Sequence, residues 1–348
     1  MSTYLNTAAT GILPAEFTEQ ANKFYAELSA NASSRAEKWR DIEQPLIRQN
    51  IADFLGADVG NIALIPNFSW GINAMVHSLT GNEKVLAYAA DYPSLLEPFR
   101  INGFNITWVK DMDGFTIPVD EIKERLLSEH INILAVSHVQ WMSGYKIDLA
   151  DLGSFCRQHG ILFIVDATQS LGAIQINLAE LDVDVLIASN YKWMNAGFGT
   201  GILYVNSRFF DRYTPAVGGN NSYRIKDGKP VYEPGILSFE PGHPNMYGFT
   251  VLNAAINDKS KRGVEHIEQH NRTLTQMLID GLQDLDVTLI GEADTKNRAS
   301  IVFLKEENGI WDKLQKHSIV CSQRGNIRIS MHYYNTPDDI NALLNALK

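Results

Sequence analysis

The chain has 348 residues, 45% of them hydrophobic and 20% charged, with 40 acidic against 30 basic side chains and a net charge of −10. That length suits one large domain with a smaller companion, and that composition suits an ordinary globular protein. The acidic excess argues against a generic nucleic-acid partner and against an anionic membrane surface.

Cys156 and Cys321 stand far apart in no metal spacing. This predicts no metal site, no disulfide framework and a reducing, cytoplasmic setting. The opening MSTYLNTAATG has neither the basic nor the apolar region of a signal peptide, and no apolar run approaches membrane-spanning length.

In chain order, Tyr4 to Pro14 reads as an extended arm. A helical region follows to about Leu55, with Gly56 as its stop. Its Arg35, Arg40 and Arg48 read as a solvated face. Strands and helices then alternate. Strands are expected at 62–65, 84–89, 105–109, 131–139, 161–166, 183–189 and 201–205. Helices are expected near Ser69–Leu79, Ile117–Glu129 and Leu149–His159. The strands are continuously apolar rather than alternating, which predicts a mostly parallel sheet of about seven strands covered on both faces. Pro215 to Gly242 has loop composition. A long helical region runs from Asn245 to about Leu285. VTLIG, RASIVFL, a helix near Ile310–His317, SIVCSQ, NIRISM and a helix from Pro337 then make a small α+β unit. The expected division is a large domain over 15–245 and a small one from 1–14 with 246–348.

In open parallel sheets ligands gather at the carboxyl ends of the strands. Five such ends carry suggestive residues. VDVLIA (183–188) runs into Ser189-Asn190-Tyr191-Lys192-Trp193 and a glycine-rich loop. A partly desolvated lysine there suits Schiff-base chemistry, and the alternative is a strand-end lysine in water. ILFIV ends in Asp166, with Gln169 three residues on. A carboxylate at that depth wants a cationic partner or caps a helix. IALI leads into Phe68-Ser69 at a helix start, either a phosphate site or an ordinary serine cap. KVLAYA leads into Asp91-Tyr92, where the tyrosine either stacks on a flat ring or packs locally. INILAVSHV leads into Gln140-Trp141, and its His138 reads as a core histidine.

Each signal is weak alone, but the order is specific. Val165 to Gly172, Ser189 to Trp193 with Gly199-Thr200-Gly201, and Asn326 to Ser330 resemble the class V aminotransferase family of pyridoxal-phosphate enzymes. That family includes cysteine desulfurases, kynureninases and isopenicillin epimerase-like proteins. The resemblance runs from Asn6–Gly11 to Tyr334–Asp339. It implies the pyridoxal-phosphate transferase fold type I, a pyridoxal 5'-phosphate cofactor and a homodimer with shared active sites. It implies Lys192 as the Schiff-base lysine, Asp166 as partner of the ring nitrogen and Gln169 at the phenolic oxygen. It puts Phe68, Ser69, Ser189 and Tyr191 at the phosphate. Tyr92 falls where desulfurases have a stacking histidine, and Trp141 or Gln140 where they have an asparagine. His243 falls where a threonine reaches the neighbouring subunit's phosphate.

Arg328 shares a strand face with Asn326 and Ser330, between isoleucines that face the other way. Such an arginine needs an anionic partner, and the resemblance makes that partner the substrate's carboxylate. A structural ion pair is the alternative. Arg324 is the nearby competitor, beside an expected turn at Gly325. Cys321 lies in an apolar strand pattern, which reads as structural rather than as the mobile nucleophile a cysteine desulfurase requires. The expected activity is at the α-amino group of an amino acid or amine, first of all transamination. A Cβ-lyase, desulfurase-like or epimerase reaction would use the same residues. A non-catalytic binding protein on this fold is the remaining alternative, against which the intact Lys192, Asp166 and Gln169 argue.

Overall fold

The computed structural model describes residues 2–348. Its central sheet has seven strands: β1 (Ile62–Ile65), β2 (Lys84–Tyr88), β3 (Asn105–Val109), β4 (Ile133–Ser137), β5 (Leu162–Asp166), β6 (Val185–Ser189) and β7 (Gly201–Val205). Their spatial order is β1-β7-β6-β5-β4-β2-β3. Only β7 runs against its neighbours β1 and β6, and the other pairings are parallel. The mostly parallel sheet expected from the apolar runs is therefore present, and its strands are apolar for the expected reason. Phe163 and Val165 enter one core cluster, while Leu162 and Ile164 enter another on the opposite face.

The N-terminal helical region is built as α1 (Glu19–Ala30), α2 (Ala32–Lys38) and α3 (Gln44–Leu55), and Gly56 ends it at φ +62°. The expectation of solvated arginines fails for Arg48. Its guanidinium is paired bidentately with Glu240, whose side chain is 1% exposed, and it also donates to Ile62 O at 2.8 Å. Arg35 is likewise held by Glu27 and Glu43. Helices α4 (Phe68–His77) and α5 (Pro93–Ile101) cover one sheet face. Helices α6 (Val119–Ser128) and α7 (Leu149–Gln158) lie with α1 and α3 on the other.

Two segments differ from expectation. The loop-like stretch before Gly242 contains a hairpin, β8 (Tyr223–Lys226) and β9 (Lys229–Tyr232), turned by Asp227 and Gly228 at φ 50° and 73°. Asp-Gly is the usual chemistry for a turn with two positive φ values. VTLIG forms no strand; only Leu289 bridges to Leu304.

Helix α8 (Met246–Arg262), expected in the small domain, contributes Phe249, Leu252 and Ile256 to the core beneath the large sheet. Helices α9 (Val264–Leu282), α10 (Ile310–Lys316) and α11 (Pro337–Leu347) pack on a three-stranded antiparallel sheet of β10 (Ile301–Leu304), β12 (Asn326–Ser330) and β11 (Ser322–Arg324). The N-terminal arm joins this unit through Leu5 and through pairing of Thr3–Tyr4 with Ile319–Val320. It then runs to Gly11, whose N–H donates to Tyr191 O at 2.9 Å. A Cβ on Gly11 would stand 1.8 Å from Lys192 O, so only glycine permits this approach.

Candidate active site

Five strand ends converge on one chamber of about 450 Å³. Phe68, Ser69, Tyr92, Trp141, Asp166, Gln169, Ser189, Tyr191 and Lys192 line it, together with Asn67, Ser137, Thr168, Phe198, Gly199 and Thr200. Nine of the twelve residues singled out in the sequence thus share one cavity.

Lys192 is 6% exposed just beyond β6. Its Nζ lies 5.5 Å from the centre of the Tyr92 ring and 5.6 Å from that of Tyr191. Burial pulls its pKa down, Asp166 pulls it back up, and the charges of Arg328 and Arg324 depress it further. Asp166 ends β5 and is 4% exposed. Burial pushes its pKa up, the Thr168 hydrogen bonds oppose this, and the carboxylate of Asp91 reinforces it. The Thr168 N–H donates to Oδ1 at 2.8 Å, which leaves Oδ2 for the chamber.

At the start of α4 the cap is Asn67, whose Oδ1 accepts from Trp70 N at 2.8 Å. Ser69 is therefore not the cap. It stands in the first turn, with its hydroxyl 3.0 Å from Ser94 Oγ. Ser189 Oγ accepts from Phe68 N at 2.9 Å, which ties the α4 terminus to the end of β6. With Phe68 N and Trp70 N already donating, the helix start still offers the Ser69 N–H, the hydroxyls of Ser69 and Ser189 and the partial positive charge of the helix, which together make an anion site. Gln169 accepts from Trp193 Nε1 at 2.7 Å and donates to Ala8 O at 3.0 Å, leaving one amide hydrogen for the chamber.

The aromatic walls are ordered. Tyr92 meets Trp141 edge-on at 5.6 Å, and Tyr191 stacks with Phe198 at 4.8 Å and 21°. Phe198, 67% exposed at the rim, was not foreseen. Its only sequence signal is a large aromatic between Gly197 and Gly199.

Three expected residues lie off the chamber wall. Gln140 is 2% exposed and donates to Asp91 at 3.2 Å, so it braces the wall rather than lining it. Arg328 lies behind Trp141 and donates to its carbonyl at 2.7 Å. His243 is exposed and borders a separate cavity of about 160 Å³ with Trp70 and Gly199. Sequence reasoning also missed Asp91. It is 3% exposed and accepts from Ser137 N at 2.8 Å and Tyr92 N at 2.7 Å, locking Tyr92 to the end of β4.

The residues present fit pyridoxal phosphate. A buried amine faces a buried carboxylate across an aromatic chamber, and the anion site at α4 opens on the same space.

The family profile described as "Aminotransferase class-V" matches residues 3–343. A probable cysteine desulfurase of Pyrococcus abyssi is 24% identical, over 99% of this chain and 93% of its own. An uncharacterized aminotransferase of Bacillus subtilis is 25% identical, over 84% and 80%. The apo structure of a cysteine desulfurase from Thermococcus onnurineus superposes with a TM-score of 0.88 at 24% identity, covering 99% and 93%. A cystine C-S lyase in complex with cysteine persulfide superposes at 0.89 with 23% identity, covering 99% and 97%. These likenesses agree with fold type I, and the profile match settles the family: the chain belongs to the class-V aminotransferases.

Proposed function

We propose that this protein is a pyridoxal-phosphate enzyme acting at the α-amino group of an amino acid, and that its reaction is transamination. The observation that carries the reading is the juxtaposition of Lys192 and Asp166, two buried groups of opposite charge in one aromatic chamber. The cofactor supplies an electron sink that acidifies the Cα–H bond of the amino acid it carries.

The chain's own residues do the rest. Lys192 Nζ, whose hold on its proton burial weakens, takes the proton from Cα and returns it. Asp166 Oδ2 remains a carboxylate as long as a cationic N–H faces it, since burial alone would protonate it. Ser69, Ser189 and the α4 terminus bind the phosphate. Tyr92 supports the ring, and Gln169 donates to its hydroxyl. Arg328 orients the substrate through its carboxylate. His243 belongs to this reading as a residue that reaches the chamber of a second copy in a homodimer.

Neither cysteine serves as a nucleophile in this scheme. Cys156 and Cys321 are buried and free, and burial pushes each thiol up to about 12. A desulfurase that parks sulfur on its own thiolate is therefore disfavoured. The second reading is Cβ–S cleavage in which sulfur leaves on the product. It draws on relatives named cysteine desulfurase that align over 99% of the chain.

Borohydride reduction and peptide mapping should put the pyridoxyl mass on Lys192, and an adduct on another lysine sinks the assignment. A screen of amino acids against keto acids then separates the reactions. Amino-group exchange supports transamination; persulfide or sulfide release from cystine or cysteine without exchange supports the second reading.

A further inference from the structure

The hairpin of β11 and β12 carries two arginines on one face. Ser322 pairs with Arg328 and Arg324 with Asn326, across a turn at Gly325 with φ +72°. Paired residues of an antiparallel ladder project to the same side, and residues two apart share that side. Ser322, Arg324 and Arg328 therefore face one way, and Arg328 Nη2 lies 3.5 Å from Ser322 Oγ. Arg328 is buried at the inner end and Arg324 is exposed at the outer.

Neither guanidinium meets a carboxylate among the described residues. This holds although acidic side chains outnumber basic ones by 40 to 30. The charge of Arg324 bears on both Arg328 and Lys192 and disfavours the cationic form of each. Lys192 lines the chamber and Arg328 stands behind its Trp141; like charges so grouped repel, and a ligand with a single carboxylate relieves only part of that repulsion. The α-carboxylate goes to Arg328, whose Nε has no partner. Arg324 and Arg328 are diagonal same-side neighbours across the ladder, about 7–8 Å apart at the backbone, a span that two carboxylates on a short carbon chain can bridge.

We propose that Arg324 is a specificity-determining residue that receives a second carboxylate, on the substrate's side chain, and that the preferred substrates are dicarboxylic amino acids. The inference rests on the amino-acid chemistry proposed for the same chamber. Tyr92 and Trp141 then flank the uncharged stem of the substrate.

The test compares length-matched pairs on the holoenzyme: glutamate against glutamine, and aspartate against asparagine. Cystine serves as a longer dicarboxylate, and phosphoserine as an anion of another kind. Wild type should favour an acid over its amide in kcat/KM. Arg324→Gln should lower that ratio about tenfold, as loss of one charge-assisted contact does. Arg324→Lys should restore part of it. Added salt should lower the wild-type ratio, because an exposed contact is screened. A wild-type ratio at or below one for every pair overturns the inference. So does a ratio that Arg324→Gln leaves unchanged, or a preference for phosphoserine over every dicarboxylate. If the cofactor spectrum of wild type responds to no amino acid at all, the proposed function itself fails.

Discussion

Arg328 shows how burial and charge can be read as function one residue at a time. It is 2% exposed, its Nε is unpartnered, and burial pulls its pKa down to about 10. The sequence alone left a structural ion pair open, but the partners found are Trp141 O and Ser322 Oγ, both uncharged. A buried cation without a counter-charge is costly, and a substrate carboxylate supplies one. Arg328→Ala should lower kcat/KM for the best amino acid by about ten- to hundredfold, the worth of a charge-assisted pair. The cofactor spectrum should be retained, and Arg328→Lys should recover only part because the fork geometry is lost. Wild-type kcat/KM in the alanine variant would return Arg328 to a structural role. Lys192 and Asp166 were legible because each charged group closes an apolar strand. Asp91 sends a similar signal three residues after Tyr88 but was passed over, since nothing in the sequence tells which carboxylate the fold will bury. The inward set of Gln140 was hidden for the same reason: a loop residue's direction depends on partners distant in the chain.

At the scale of elements, the large sheet was readable because its strands are apolar on both faces, whereas pairing at the edges was not. VTLIG has the composition of a strand, yet it meets β10 through the single bridge of Leu289 with Leu304, where Ile290 N donates to Phe303 O at 2.8 Å and Lys305 N to Thr288 O at 2.9 Å. The hairpin of β8 and β9 was lost in a segment rich in Gly, Asn and Pro, although its Asp-Gly turn is the strongest local signal there. The segment is pinned to the sheet by Glu240, which accepts from Leu64 N at 2.6 Å, Gln44 Nε2 at 3.2 Å and the Arg48 fork. Removing one partner of a buried pair leaves an uncompensated charge, at a cost of about 3–5 kcal/mol. Glu240→Ala should therefore lower the urea midpoint by that equivalent, and Glu240→Gln by less, because the amide oxygen still accepts from Leu64 N. If the alanine variant unfolds at the wild-type midpoint, the pair contributes nothing and the segment is held by packing.

At the scale of the whole molecule, the small unit is joined to the large one behind the chamber by a buried polar cluster. His332, just after β12, lies with Nε2 2.9 Å from Trp193 O and 3.1 Å from Asn195 Oδ1, while its Nδ1 faces Asn271 Nδ2 at 3.2 Å. Two acceptors around Nε2 place the hydrogen there. Lys259 of α8, wholly buried, donates to Asn195 Oδ1 at 3.1 Å and lies 3.2 Å from the same Nε2. An ammonium cannot donate to a nitrogen that already carries a hydrogen, so the free amine suits this contact. Burial pulls the Lys259 pKa down to about 7; Asp258 raises it and Arg262 lowers it. The unfolded chain keeps the ordinary lysine value of about 10.4. Between these two values the unfolded state binds the extra proton, so stability rises with pH across that window. Below it the lysine is charged in both states and the full burial penalty applies. Above it the lysine is neutral in both states and the penalty is gone. Lys259→Met removes the amine and fills the space, while His332 and Asn195 keep each other as partners. It should therefore be more stable than wild type near pH 6.5, by on the order of 1–3 kcal/mol, and the two should converge by about pH 10. Urea unfolding of both proteins across that range isolates the difference from every other titrating group. A stability gap that stays constant with pH would mean that Lys259 keeps its ordinary proton affinity in the fold, and a variant less stable at neutral pH would mean that the amine's hydrogen bonds outweigh its desolvation.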